Sequence, residues 1–198
     1  MKNRQKDLID QLSDRDLMIN FYLSQFMIFC IGLLFAFILF PSIFDVFHLF
    51  NFTEMTQILV IGGGAGIFVV SVDLIMMKYL PSSYFDDGGI NERIFKNRGV
   101  LNIIFITLIV AFCEEFLFRG VLQTKFGLLT ASIIFALVHY RYLFNKFLLS
   151  EIILLSLFIG VIFEWTENLA VTFFMHFIID CLLGLYIYYT NSTKPFES

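Results

Sequence analysis

Two adjacent glutamates, Glu114 and Glu115, close an almost unbroken apolar run from Val100 to Phe112, and Arg119 follows four residues after the second. An ionisable side chain near the centre of a membrane helix costs roughly 2.5–3.5 kcal/mol, so three of them there imply use. Glu115 and Arg119 stand at i, i+4 and can neutralise each other along one helix face. Glu114 is turned about 100° away and is left to meet something else. Two more polar positions recur at the same spacing. His139 follows Phe135 by four residues, and Asp180 follows His176 by four. A carboxylate, two imidazoles and a second carboxylate can supply a general base, a proton donor and hydrogen-bond donors for a developing negative charge. Glu114, His139 and His176 are also zinc-ligand types, which keeps a metal site as the alternative. No His-Glu-x-x-His helix supports it, and a cofactor-free site is the expectation.

The elements that must position these residues are apolar helices. The chain has 198 residues, 59% hydrophobic, 18% aromatic and only 15% charged, with a mean hydropathy of +0.83. Soluble domains carry about a quarter charged residues. The reading is an all-α, multi-pass transmembrane bundle of about six spans, occupying residues 18–190 behind a polar arm at 1–17. The spans are expected at 18–40, 57–80, 100–122, 127–142, 147–163 and 169–189, the first two stopped by Pro41 and Pro81. No cleavable signal peptide is expected, because residues 1–17 mix both charge signs. A net charge of −4 offers no basic patch for nucleic acid.

With the N-terminus cytoplasmic and six spans, eleven of the thirteen Lys and Arg residues fall on the inner side. Both termini are therefore expected in the cytoplasm. At 1.5 Å per residue, Glu114 lies about 21 Å from the inner start of its span, His139 about 18 Å from the outer start of its own, and His176 about 10 Å. Allowing a turn at each boundary, the three share one layer. A lone histidine in such a helix is more often a hydrogen-bonded core residue. The agreement of three depths favours a site.

Taken together, Glu114-Glu115-Phe116-Leu117-Phe118-Arg119, then Phe135-Ala136-Leu137-Val138-His139, then His176 with Asp180 resemble the successive motifs EExxxR, FxxxH and HxxxN or HxxxD. These belong to the CPBP family: the CAAX proteases and bacteriocin-processing enzymes, or Abi family, of intramembrane endopeptidases. The resemblance covers about 100–185. It implies a glutamate-dependent membrane protease acting on a peptide or prenylated-peptide substrate in the lipid bilayer, a bacterial cell membrane being the expected location. By position it implies that Glu114 and His139 activate water, that His176 and Asp180 stabilise the oxyanion, and that Glu115 and Arg119 form a structural pair beside them. Asp180 departs from the asparagine common there. A carboxylate donates a hydrogen bond only when protonated, so orienting His176 is its more natural task.

Other residues read more plainly. Ile61-Gly62-Gly63-Gly64-Ala65-Gly66 lacks the lysine and the strand of a phosphate loop and reads as close helix packing through Gly62 and Gly66. Asp73 is a weaker intramembrane charge, with Lys78 or Arg119 as a partner or an interfacial position. His48 lies in a connection without such context. Cys30, Cys113 and Cys181 read as small buried hydrophobes. Two other functions stay open at this point. A non-catalytic immunity or scaffold protein of the same fold would have lost a site residue, and an ion or proton transporter would couple to a gradient.

Overall fold

The computed structural model describes residues 11–192 except Asn97, so the first ten residues of the expected polar arm lie outside it. The first long helix, α1 (Asp14–Leu39), begins four residues before the expected Met18. Ser13 caps it by accepting from the Asp16 amide, and Asp14 and Asp16 sit where the helix dipole favours negative charge. A short α2 (Phe44–His48) leads to α3 (Met55–Tyr79), which ends before Pro81. The polar connection after it holds α4 (Ile90–Phe95). Then come α5 (Val100–Phe126), α6 (Leu128–Val138), α7 (Lys146–Thr166) and α8 (Leu169–Ser192). Five of these, α1, α3, α5, α7 and α8, are long and apolar enough to cross a membrane, and no strand occurs among the described residues.

The fourth crossing differs from its expected extent of 127–142. Gly127 at φ +82° separates α6 from α5, and the helix ends at Val138, followed by a tight turn at Tyr140–Phe144. Eleven residues rise only about 16 Å, roughly half a hydrocarbon core. The turn carries the chain on from there, and Arg141 within it donates to the Asn91 side chain of α4 at 3.4 Å.

Contacts between connections define two faces of the bundle. On one, Arg93 pairs with Asp14 at 2.8 Å, and the Asn145 amide donates to the Tyr84 carbonyl at 2.7 Å. On the other, Asn168 accepts from the Asn51 amide and donates to its carbonyl, while Lys125 lies over the Phe40 ring. The chain alternates between these faces six times.

Two segments widen to i→i+5 hydrogen bonding: Ile58–Gly63 in α3 and Phe116–Gln123 in α5. In the first, a Cβ on Gly62 would stand 2.6 Å from the Val171 carbonyl oxygen, and one on Gly66 2.9 Å from the Ile178 side chain. Both glycines let α3 lie directly on α8, the packing role expected of them. The second begins at the residue after Glu115; such widenings recur at functional sites. Cys113 and Cys181 are buried, but Cys30 is exposed on the outside of α1. That corrects the expectation of three buried thiols. A lipid-facing helix surface is as apolar as a core one, so composition does not separate them.

Candidate active site

Helix α5 buries both of its glutamates. Glu115 is the more heavily engaged. Its Oε2 lies 3.6 Å from Arg119 Nε, and its Oε1 lies 3.0 Å from Nδ1 of His176 on α8. Arg119 is itself fully buried. Its Nη2 donates to the Ser156 hydroxyl of α7 at 3.1 Å, and its guanidinium carbon lies 5.4 Å from the centre of the Phe135 ring on α6. On the far side of His176, Nε2 is 3.4 Å from Oδ2 of Asp180. The result is one polar line, Ser156–Arg119–Glu115–His176–Asp180, joining α7, α5 and α8. It runs from fully buried groups to an aspartate whose side chain is 30% exposed. An imidazole with a carboxylate at each nitrogen satisfies both only when both nitrogens carry protons. In that form His176 is a cation and a donor, not a base.

Glu114 stands apart from this line. Its hydrogen-bond partner is the Gln25 side-chain amide of α1, donating to Oε1 across a long 3.4 Å. It also lies within electrostatic reach of Arg119 and Arg141. Arg141, in the turn after α6, donates to the Tyr142 hydroxyl at 2.7 Å. Burial works against the Arg141 charge, but Tyr142, Asp87 and Glu114 outweigh it and hold its pKa above the usual arginine value.

His139 ends α6. Its Nδ1 lies 2.8 Å from the Phe135 carbonyl oxygen, so in the neutral ring Nδ1 donates there and Nε2 keeps the lone pair. The ring sits between Phe135, centroid 4.5 Å away, and Tyr142, parallel to within 10°. Phe135 thus links the two halves of the site, touching Arg119 on one side and His139 on the other.

Four of the six site candidates, Glu115, Arg119, His176 and Asp180, are in direct contact. Glu114 and His139 adjoin them without touching each other. Counted from the face that holds Asn51 and Asn168, Glu114 and His139 lie about 16–18 Å deep and His176 about 10 Å, so α8 reaches the level of the first two only at Asp180. Sequence spacing separated the Glu115–Arg119 pair from His176; the fold joins them. It also adds Gln25, Ser156 and Arg141, of which Gln25 and Ser156 carried the same signal as the glutamates, a polar side chain inside an apolar run. Asp73 pairs with neither Lys78 nor Arg119, since the first lies over Tyr79 and the second is committed to Glu115.

The zinc set meets a specific obstacle. Glu114, His139 and His176 do not converge, and among the described residues no three His, Cys, Asp or Glu side chains do. Both nitrogens of His176 face carboxylates, so ligation would require breaking one of those contacts.

Residues 96–182 match the family model described as type II CAAX prenyl endopeptidase Rce1-like. The uncharacterized protein YpbD of Bacillus subtilis (strain 168) is 45% identical over 148 residues, covering 75% of this chain and 78% of that protein. No solved structure matches.

Proposed function

The chain belongs to the CPBP family of membrane proteases, and from that premise we propose that it is an intramembrane endopeptidase whose water is activated by Glu114 and His139. The observation that carries this is the contrast between the two glutamates. Glu115 is held by Arg119 and His176, whereas Glu114, buried beside it, has among the described residues a single long hydrogen bond, from Gln25. A buried carboxylate with few donors keeps its oxygens available for a water proton.

In this reading a water between Glu114 and His139 loses a proton to Glu114 as its oxygen attacks the peptide carbonyl. Nε2 of His139 accepts the water's other hydrogen bond and orients it. The developing oxyanion is met by His176, whose 3.4 Å contact to Asp180 is the looser of its two and yields to the substrate oxygen. Glu115 keeps the ring oriented from the other side. The proton on Glu114 then passes to the departing amine, leaving a new carboxylic acid and a new amino terminus. The substrate is a peptide, prenylated or not, within a bacterial cell membrane.

The test is purified protein in liposomes with a peptide panel in water enriched in ¹⁸O. Cleavage with one ¹⁸O in each new carboxyl group supports hydrolysis. Absence of cleavage across the panel, with a folded protein, removes the enzyme reading in favour of a peptide-binding one.

A further inference from the structure

A cavity of about 620 Å³ lies between α3 and α7 with α8 at its back. Its walls are mostly apolar, from Phe68 and Val72 on one side to Leu154 and Phe158 on the other. It reaches Asp180, so it is continuous with the candidate site. Its charged lining is of one sign. Asp73, Asp87, Glu151 and Asp180 face it, and among the described residues no lysine or arginine does. Asp73 and Glu151 come from opposite walls and act electrostatically on one another. Glu151 Oε1 is buried with no hydrogen-bond partner among the described residues. Two like charges facing each other across apolar walls are unfavourable, a cost relieved by a proton on one of them or by a cation between them.

We infer that this cavity seats a substrate segment in which one lysine or arginine, flanked by apolar residues, lies between Asp73 and Glu151. The inference rests on the protease reading and adds its sequence preference. Charge complementarity selects the basic side chain. Its long methylene stem suits the apolar walls while its head meets the carboxylates.

Depth sets the register. Asp73 is six residues before the end of α3, about 9 Å, and Glu151 five residues into α7, about 8 Å, measured from the same face of the bundle. Asp180 is twelve residues from that face along α8, about 18 Å. The difference of about 10 Å is three residues of extended chain. The basic residue is therefore placed about three positions from the scissile bond.

The test uses the full chain in liposomes and otherwise identical apolar peptides carrying Lys, Met or Glu at successive positions. Cleavage is read by mass spectrometry, and binding of fluorescent versions by anisotropy. Lys about three positions from the cut should exceed Met by at least tenfold in kcat/KM and in affinity. In the Asp73→Asn/Glu151→Gln double variant the Lys-to-Met ratio should fall toward one, and Asp73→Lys should turn the preference toward Glu. An unchanged ratio in both variants, or no Lys preference in the wild type, overturns the inference. Lys-selective binding without any cleavage would instead keep the cation site and remove the protease reading.

Discussion

His176 on α8 and Glu115 on α5, 61 residues apart, meet at 3.0 Å between Nδ1 and Oε1 in the buried centre of the bundle. This contact makes the Glu115–Arg119 pair part of the site's architecture, because the carboxylate that neutralises the arginine also orients the histidine. Each buried charge here depends on a partner from another helix, and removing one strands the rest.

Arg119→Ala tests that dependence. It removes the guanidinium beside Glu115 and the donor to Ser156 from a buried site. Loss of one partner of a buried pair costs about 3–5 kcal/mol. Folded yield in membranes and thermal stability in detergent should both drop. Normal yield and stability with activity abolished would instead make Arg119 part of the chemistry.

The contact between α3 and α8 can be tested at a residue remote from any charge. Gly62→Val would put side-chain atoms where the Val171 carbonyl already stands 2.6 Å from the Cβ position. Backbone cannot swing aside as a side chain can, so the helices must separate, at a cost of about 1–3 kcal/mol or more. Thermal unfolding should shift down. Gly64→Ala, which meets nothing within 4 Å, serves as the control and should not shift it.

The two faces of the bundle predict sidedness. Single cysteines at Ser13, Gly88 and Asn145 should label from one side of the membrane, and at Asn51 and Glu167 from the other. By the lysine and arginine distribution, the first group should be the cytoplasmic one. Gly88 labelling from the same side as Glu167 would break the six-crossing arrangement.

Much of this was legible in the chain. Prolines, glycines and the apolar run lengths gave the helices, and four-residue spacing gave Glu115–Arg119, Phe135–His139 and His176–Asp180 as pairs. Spacing fixes which residues share a helix face but not which face meets which helix, so the His176–Glu115 contact and the Gln25–Glu114 hydrogen bond had no signal beyond polarity in an apolar run. The shortness of α6 was hidden because no proline or glycine follows Val138, and large aromatic residues continue around Arg141 to Phe144. The exposure of Cys30 was hidden for another reason: in a bilayer, outward and inward surfaces have similar composition.

Chelation separates two accounts of the same residues. If Nε2 of His176, once clear of Asp180, meets the substrate oxygen and no metal, a strong chelator should leave peptide cleavage unchanged. Loss of cleavage on chelation, restored by zinc, would mean that His176 releases Asp180 and joins Glu114 and His139 as ligands.

The remaining prediction concerns the water. Glu114 has one long hydrogen bond to lose, so Glu114→Gln keeps the volume and still pairs with Gln25 while removing the ability to take a proton. The variant should fold normally. Its rate should fall by about 10²–10⁴, the usual worth of a positioned base. His139→Ala removes the second group on the water but also the ring stacked between Phe135 and Tyr142, so its stability must be measured beside its rate. It should be nearly as inactive as Glu114→Gln with only a modest loss of stability. His176→Ala, by losing an oxyanion donor, should fall by about 10²–10³ and also destabilise, since it leaves Glu115 and Asp180 facing each other. The decisive comparison is therefore between adjacent residues: Glu114→Gln inactive but stable, Glu115→Gln unstable. The reverse pattern, a fully active Glu114→Gln beside a stable and inactive Glu115→Gln, would move the base to Glu115.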